Sequence, residues 1–161
     1  RNASRNAEVS VAKEPVAVEP AIAYDAERKS RALHLVWSAS ISGWVLFGTR
    51  LGTTWHRLAS LDSVVFWAKG NGAIRIAFED RADSSGLNSS DLRKAWANVD
   101  LSPVWKRYSV RPSDFLPPDQ WNVGWPAIRE RSNTFTVFGV TGSEFWIDDI
   151  QFLGISRFEL R

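Results

Sequence analysis

Apolar and polar residues alternate in short runs along most of the 161-residue chain. The runs are rich in β-branched and aromatic residues and are bounded by Gly, Ser, Asn, Asp or Pro, a pattern that predicts β-strands. Residues 14–27 alternate in the same way, and Pro15 and Pro20 favour edge strands there, because proline donates no ladder hydrogen bond. The remaining runs lie at residues 31–39, 43–51, 61–70, 73–80, 93–101, 105–110, 134–140 and 145–154.

These runs predict an all-β fold. Only a few residues separate most of them, and no long stretch has the apolar period of a helix. Eight to ten strands in this arrangement predict a two-sheet antiparallel β-sandwich of the jelly-roll type. The small and polar residues 1–13 predict a flexible arm or linker, and residues 14–161 predict a single domain. The longest gap, 111–133, contains four prolines and two tryptophans and is a candidate functional loop.

Strand alternation assigns side chains to the two faces of the sheet. In residues 73–80 the apolar set Ile74, Ile76 and Phe78 is predicted to face the core, which leaves Arg75 and Glu79 on the opposite face.

Residues 93–101 show the same division. Small apolar residues alternate there with Lys94, Trp96 and Asn98, so Trp96 is predicted to lie on a solvated face among polar neighbours. If the two strands are antiparallel neighbours, Trp96 and Asn98 lie beside Arg75 and Glu79, and we predict a binding face at this position.

Composition removes several function classes. The chain has no cysteine, which excludes disulfides, thiol catalysis and thiolate metal sites and is compatible with an exported bacterial domain. The net charge is +2 and basic residues are scattered, so nucleic acid is not the expected partner. No apolar run approaches the roughly 18 residues of a membrane span. Nine tryptophans against two tyrosines are more than such a core usually houses, so some indoles are expected to be exposed.

Three strings, SVVFWAKGNGAIRIAFED, WKRYSVRPSDF and FWIDDIQFLG, follow one another in an order and spacing that resemble β-jelly-roll carbohydrate-binding modules, most nearly family 11. The resemblance covers about residues 31–154. It implies a non-catalytic, monomeric module that binds a plant cell-wall polysaccharide, most nearly a β-glucan such as cellulose. It also implies secretion from a bacterium and targeting of an attached or partner glycoside hydrolase.

The resemblance also implies particular contact residues. By it, Trp44 and Trp121 correspond to aromatics that stack on the glycan, and Asp119 and Gln120 to polar residues that bind sugar hydroxyls. Phe138 or its neighbour would supply a further contact. Together with Arg75, Glu79, Trp96 and Asn98 these residues form the predicted site. Trp67, Trp105 and Trp146 lie in strings that resemble structural positions, and we predict that they belong to the core.

Asp148 and Asp149 are neighbours in an otherwise apolar strand. Adjacent strand residues point to opposite faces unless a bulge intervenes, so the pair is not expected to act as the acid and nucleophile of a glycosidase, and no enzyme is predicted. The resemblance instead makes Asp148 a candidate ligand for a structural calcium ion, although residues 1–25 lack the acidic opening segment of such modules. A structural role for Asp148 remains the alternative.

A second function also remains open. The alternative is a structural or partner-binding β-sandwich domain of a larger secreted protein. In that case Trp44, Trp96 and Trp121 would be buried against another domain rather than against a sugar.

Overall fold

The computed structural model describes residues 7–11, 18–37, 45–52, 54–81, 93–141, 144–156 and 160. Within these ranges the chain forms ten strands, a single-turn helix α1 (Trp125–Ile128) and a 3-10 turn (Pro112–Asp114). The strands are β1 (Ala7–Val11), β2 (Val18–Asp25), β3 (Ser30–Trp37), β4 (Val45–Arg50), β5 (Ser63–Asn71), β6 (Ala73–Asp80), β7 (Arg93–Asp100), β8 (Lys106–Val110), β9 (Thr134–Gly139) and β10 (Glu144–Leu153). No helix in this described part is long and apolar enough to cross a membrane.

The strands form two five-stranded sheets. Sheet A has the order β1-β4-β9-β6-β7, and sheet B has the order β2-β3-β10-β5-β8. Every strand pair is antiparallel, and β2, the strand predicted to lie at an edge, is an edge of sheet B. The predicted antiparallel β-sandwich is confirmed, because the alternating runs bury one face of each sheet against the other.

The N-terminal segment differs from its prediction in one respect. Residues 7–11 fall within the predicted arm, 1–13, yet they form β1 and pair along their whole length with β4. The sequence there, AEVSV, alternates apolar and polar residues, which is the pattern of a strand with one covered face. The predicted arm is therefore partly ordered as an edge strand of sheet A.

The core confirms the face assignment made from alternation. Ile74, Ile76 and Phe78 have no exposed surface, and they face the apolar inner side of sheet B. Phe78 lies at the centre of an aromatic cluster, with ring centroids 6.1 Å from Phe115 and 5.8 Å from Trp125. Both partners belong to the long segment 111–133, so the core anchors that segment to sheet A.

Strand β10 contains a β-bulge. Its pairing with β5 shifts register between Asp148 and Gln151, and Asp149 has a φ of 52°. The extra residue breaks the alternation, so the exception for a bulge applies and Asp148 and Asp149 do not point to opposite faces. Both carboxylates lie near one guanidinium, with Arg28 Nη2 2.6 Å from Asp149 Oδ2 and Arg28 Nε 3.8 Å from Asp148 Oδ2.

Candidate functional site

The outer face of sheet A, turned away from the core, carries the predicted binding residues of β6 and β7. In the register of β6 and β7, Arg75 lies opposite Asn98, and Ala77 lies opposite Trp96. Arg75 also lies opposite Phe138 of β9. The predicted neighbourhood is confirmed, and Arg75 Nε donates a hydrogen bond to Asn98 Oδ1 at 3.1 Å. The face thus combines a cation, an amide and an aromatic ring on three adjacent strands.

One end of this face is closed. Glu79 has no exposed surface, accepts a hydrogen bond from Thr136 Oγ1 at 3.1 Å, and pairs with Arg81 Nε at 2.6 Å. A buried carboxylate requires such partners, because burial disfavours its charge. Glu79 was predicted to contact a ligand directly. Its side chain is buried and bound to Arg81 and Thr136, so its role is structural.

Trp96 is also covered. It lies on the predicted face but is only 6% exposed, so the prediction of a solvated indole is wrong. The Arg75 guanidinium carbon lies 5.0 Å from the centre of the Trp96 ring, and Lys94 Nζ lies 5.3 Å from it. Cations are attracted to the electron-rich face of an indole, and their aliphatic stems cover apolar surface. The alternation of apolar and polar residues predicted the correct side of the sheet for Trp96, but it did not predict that Arg75 and Lys94 cover the ring.

Lys94 connects two rings of the face. Its Nζ lies 5.6 Å from the centre of the Phe138 ring, in addition to its contact with Trp96. Burial lowers the pKa of Lys94, and the neighbouring charges of Arg75 and Arg81 lower it further against the opposing effect of Glu79. Lys94 is therefore partly buried beside two other cations and one carboxylate.

Trp121 is the most exposed tryptophan among the described residues, with 66% of its surface accessible. The segment that carries it runs along the edge of β7. Leu116 N donates to Trp96 O, and Val123 N donates to Lys94 O, each at 2.9 Å. These bonds place the Trp121 loop along the edge of sheet A, beside β7.

Asp119 and Gln120 lie just before Trp121, and both are exposed. Asp119 Oδ1 accepts hydrogen bonds from Trp121 N at 2.7 Å and Asn122 N at 2.8 Å, which is an Asx turn. One oxygen of Asp119 therefore shapes the loop, and its predicted contact with a sugar is left to Oδ2. Gln120 has no such task in the loop.

Asn122 is a positioning residue that sequence reasoning missed. It is 1% exposed, its Nδ2 donates to the carbonyl oxygens of Leu116 and Pro117 at 3.2 and 3.3 Å, and its Oδ1 accepts from Gly124 N at 2.8 Å. Gly124 has a φ of 74°, where side chains are disfavoured. The Asn-x-Gly spacing was a weak sign of this buried turn.

Other predicted positions contribute differently. Trp44 lies outside the described residues. Phe138 is half-buried on the outer face of sheet A. Trp67, Trp105 and Trp146 were predicted to be core, and this is wrong, because they are half-buried on the outer face of sheet B.

Cations explain the cover of these three rings. The guanidinium carbon of Arg28 lies 4.4 Å from the centre of the Trp67 ring, and Lys69 Nζ lies 5.1 and 5.3 Å from the centres of Trp105 and Trp146. The spacing of Trp67 and Lys69, two residues apart on one strand, was the available signal.

Asp25 fixes this second cluster. Its Oδ2 lies 2.6 Å from Lys69 Nζ, and its Oδ1 accepts from Trp105 Nε1 at 2.9 Å and from Arg28 N at 2.9 Å. Burial alone would raise the pKa of Asp25. The hydrogen bonds from Lys69, Arg28 and Trp105 and the charge of Lys69 outweigh burial and lower the pKa to about 2.

Asp148 was predicted as a calcium ligand. Its Oδ2 accepts a hydrogen bond from Ser30 Oγ at 2.6 Å, and its Oδ1 accepts from Asp149 N at 2.9 Å. Calcium takes six to eight oxygen ligands, but no group of three or more His, Asp or Glu that could bind a metal occurs in the part of the chain that the structure describes. Arg28 supplies the cation here, so these described residues do not fit a calcium site.

Comparison with known proteins identifies solved structures that share this fold. No protein-family model matches the sequence, and no curated protein matches it. Among solved structures, the family 11 carbohydrate-binding module of the cellulosomal cellulase Lic26A-Cel5E of Clostridium thermocellum superposes with a TM-score of 0.70 at 12% identity, over 93% of this chain and 88% of that one. The chain shares its fold with family 11 carbohydrate-binding modules.

Two further structures agree with this assignment. A family 11 module from Clostridium thermocellum in complex with a β-1,3-1,4-mixed-linked tetrasaccharide gives a TM-score of 0.64 at 12% identity, over 93% of this chain and 89% of that one. A family 30 carbohydrate-binding module gives 0.60 at 15% identity, over 93% and 79%. The family 11 fold predicted from three sequence strings is thus confirmed.

Proposed function

We propose that the protein is a non-catalytic carbohydrate-binding module that binds a polysaccharide across the outer face of sheet A, with Trp121 at its border. The observation that carries this proposal is the exposure of Trp121 on a segment hydrogen-bonded to β7. An indole presents a flat apolar face to the C–H side of a pyranose, and leaving so large a ring in water is otherwise unfavourable.

The free energy expected from stacking one sugar ring indicates that several contacts act together. A sugar ring that covers about 100 Å² of apolar surface gains about 2.5 kcal/mol before ordering costs. Micromolar to millimolar binding requires roughly 4 to 8 kcal/mol, so one platform is insufficient. Phe138 and Trp44 are our candidates for further platforms, and Asn98, Arg75 and Gln120 for hydrogen bonds to hydroxyl groups.

Several finer features extend the proposal. We propose a plant cell-wall β-glucan such as cellulose as the first polysaccharide to test, a choice supported by the mixed-linked tetrasaccharide in one structure of the same fold. The proposed role is to target an attached or partner glycoside hydrolase to its substrate. The proposed setting is outside a bacterial cell, with the domain acting as a monomer.

Substitution of Trp121 by alanine is expected to weaken glycan binding tenfold or more, because it removes an exposed platform without disturbing the core. Affinity electrophoresis against cellulose derivatives, mixed-linkage glucan, xyloglucan, xylan and mannan measures the loss. Tyr24→Ala is the matched control, since Tyr24 is 65% exposed on the other sheet and its loss should leave mobility unchanged.

The same gels can contradict the proposal. Equal mobility of the wild type and Trp121→Ala on every glycan that retards the wild type would reject the role of Trp121. Absence of retardation on all glycans, with tryptophan fluorescence insensitive to sugars, would instead favour the partner-binding β-sandwich.

A further inference from the structure

We propose that the ligand of the outer face of sheet A is an acidic polysaccharide, with a carboxylate or sulfate group bound between Arg75 and Lys94. This inference rests on the proposed function and specifies its ligand class. This face carries more cations than carboxylates, and two of the cations, Arg75 and Lys94, are held over the Trp96 ring.

The charges of the face are unbalanced. The one buried carboxylate, Glu79, is paired with Arg81 and is hydrogen-bonded to Thr136. Arg75 bonds only to the neutral Asn98, and Lys94 forms no ion pair with any carboxylate of the described ranges. Glu79 also attracts Lys94, so three cations, Arg75, Arg81 and Lys94, lie around this one carboxylate and leave an excess of positive charge.

Other charged residues of the face lie further along the strands. Arg50 at the end of β4 is exposed and, by its pairing with Thr134, shares this face. Asp100 shares the face at the other end of β7 and is also exposed. Asp100 lies opposite Ala73, beyond Asn98, and forms no ion pair with Arg75 among the described residues. The centre of the face therefore remains cationic.

A buried donor lies in the same place. Trp96 is more than nine-tenths buried, and its Nε1 has no acceptor in the part of the chain described here. Proteins seldom bury an N–H group without a hydrogen-bond partner, because the loss of its hydrogen bonds to water is then not compensated. This atom has almost no accessible surface, so an anionic oxygen of a ligand would reach it only after the covering side chains moved aside. Burial lowers the pKa of Lys94, and burial together with the charges of Arg75 and Arg81 outweighs the opposing charge of Glu79.

The two cations are already oriented. Both rest over the Trp96 ring, at 5.0 Å for Arg75 and 5.3 Å for Lys94, and Asn98 fixes the Arg75 guanidinium through Nε. Ordering long side chains before binding reduces the entropy that the ligand must overcome. A guanidinium fixed through Nε still has its terminal N–H groups, which match the paired oxygens of a carboxylate or sulfate.

The test compares three soluble derivatives of one glucan: hydroxyethylcellulose, carboxymethylcellulose and cellulose sulfate. In about 0.1 M salt, where surface charges are screened beyond about 10 Å, we expect the whole domain to bind at least one charged derivative tenfold or more tightly than the neutral one. The carboxylated and sulfated arms identify which group provides the charge. Isothermal titration measures the affinities.

Variants separate a specific contact from general attraction. Lys94→Gln is expected to weaken binding of the charged derivative fivefold or more while changing hydroxyethylcellulose binding less than twofold. Arg75→Gln, which also removes a proposed hydrogen bond to a hydroxyl group, is expected to weaken binding of the charged derivative at least fivefold more than it weakens binding of hydroxyethylcellulose. Arg107→Gln removes the same charge from the other sheet, where Arg107 lies opposite Trp67, and should leave both affinities unchanged.

Each outcome bears on a different statement. Equal affinity for neutral and charged glucan, or an equal loss in Arg107→Gln and Arg75→Gln, overturns the acidic-ligand inference and leaves the proposed function standing. Binding to charged glucan alone, lost in Arg75→Gln but kept in Arg107→Gln, supports the inference and removes neutral β-glucan as the ligand. Binding to none of the three, nor to the wider glycan screen, overturns both.

Discussion

Replacing Phe78 with alanine is expected to lower the free energy of unfolding by roughly 3 to 5 kcal/mol. Phe78 has no exposed surface, and its ring lies 5.4 Å from Phe135 and 5.7 Å from Phe152 as well as against Phe115 and Trp125. Removal of the ring loses the transfer free energy of its atoms and leaves a cavity that four aromatic neighbours cannot fill. Urea unfolding followed by circular dichroism measures the loss.

Two controls make this result specific. Phe78→Leu retains most of the volume and should lose clearly less stability than Phe78→Ala. Ile22→Ala removes apolar atoms at a position that is 54% exposed, and a change below about 0.5 kcal/mol is expected. A loss below about 1 kcal/mol for Phe78→Ala would mean that the aromatic cluster does not stabilise the sandwich as described.

Asp25→Asn is expected to destabilise the fold by roughly 2 kcal/mol at pH 7, because hydrogen bonds from Lys69 and Trp105 to a charged carboxylate would be weakened. The effect depends on pH in a defined direction. The pKa of Asp25 is lowered from 3.8 to about 2 by its partners against the opposing effect of burial. A lowered pKa stabilises the fold above the unfolded value, and this stabilisation is lost as pH falls through the folded one.

Thermal unfolding of the wild type and Asp25→Asn at pH 7, 5, 3 and 2 checks this dependence. The stability difference between them should be constant from pH 7 to 5 and should shrink between about pH 4 and 2. Asp62→Asn, at an exposed position, is the control and should change stability by less than about 0.5 kcal/mol. A difference that is unchanged at pH 2 would show that the ionised Asp25 is not its source.

Alternation was sufficient to predict much of the sandwich. The apolar rows of β6 and β7 had only one face that could be buried, so Ile76 and Phe78 were assigned to the core and Arg75 and Asn98 to the outer face, as observed. Such patterns are local, and each residue reports directly on its own face. Strand positions follow from the same information.

Contacts between distant residues could not be predicted in this way. The bulge at Asp149 depends on a positive φ that the sequence does not mark, because aspartate adopts it less readily than glycine. The cover of Trp67 depends on Arg28, which comes from the turn after β2. The cover of Trp96 depends on how long cationic side chains fold back over a ring. These features involve rotamers and loop paths, which alternation does not determine.

The segment from Leu116 to Val123 affects solubility, because it covers the edge of a sheet. Its two backbone N–H groups, of Leu116 and Val123, donate hydrogen bonds to the carbonyl groups of Trp96 and Lys94. These bonds cover the unpaired edge of β7, the terminal strand of sheet A. An uncovered terminal strand is a template for pairing with another molecule and for aggregation. Shortening or exchanging this loop would therefore leave the edge of β7 open to pairing with another molecule, so engineered loops need to preserve both backbone hydrogen bonds.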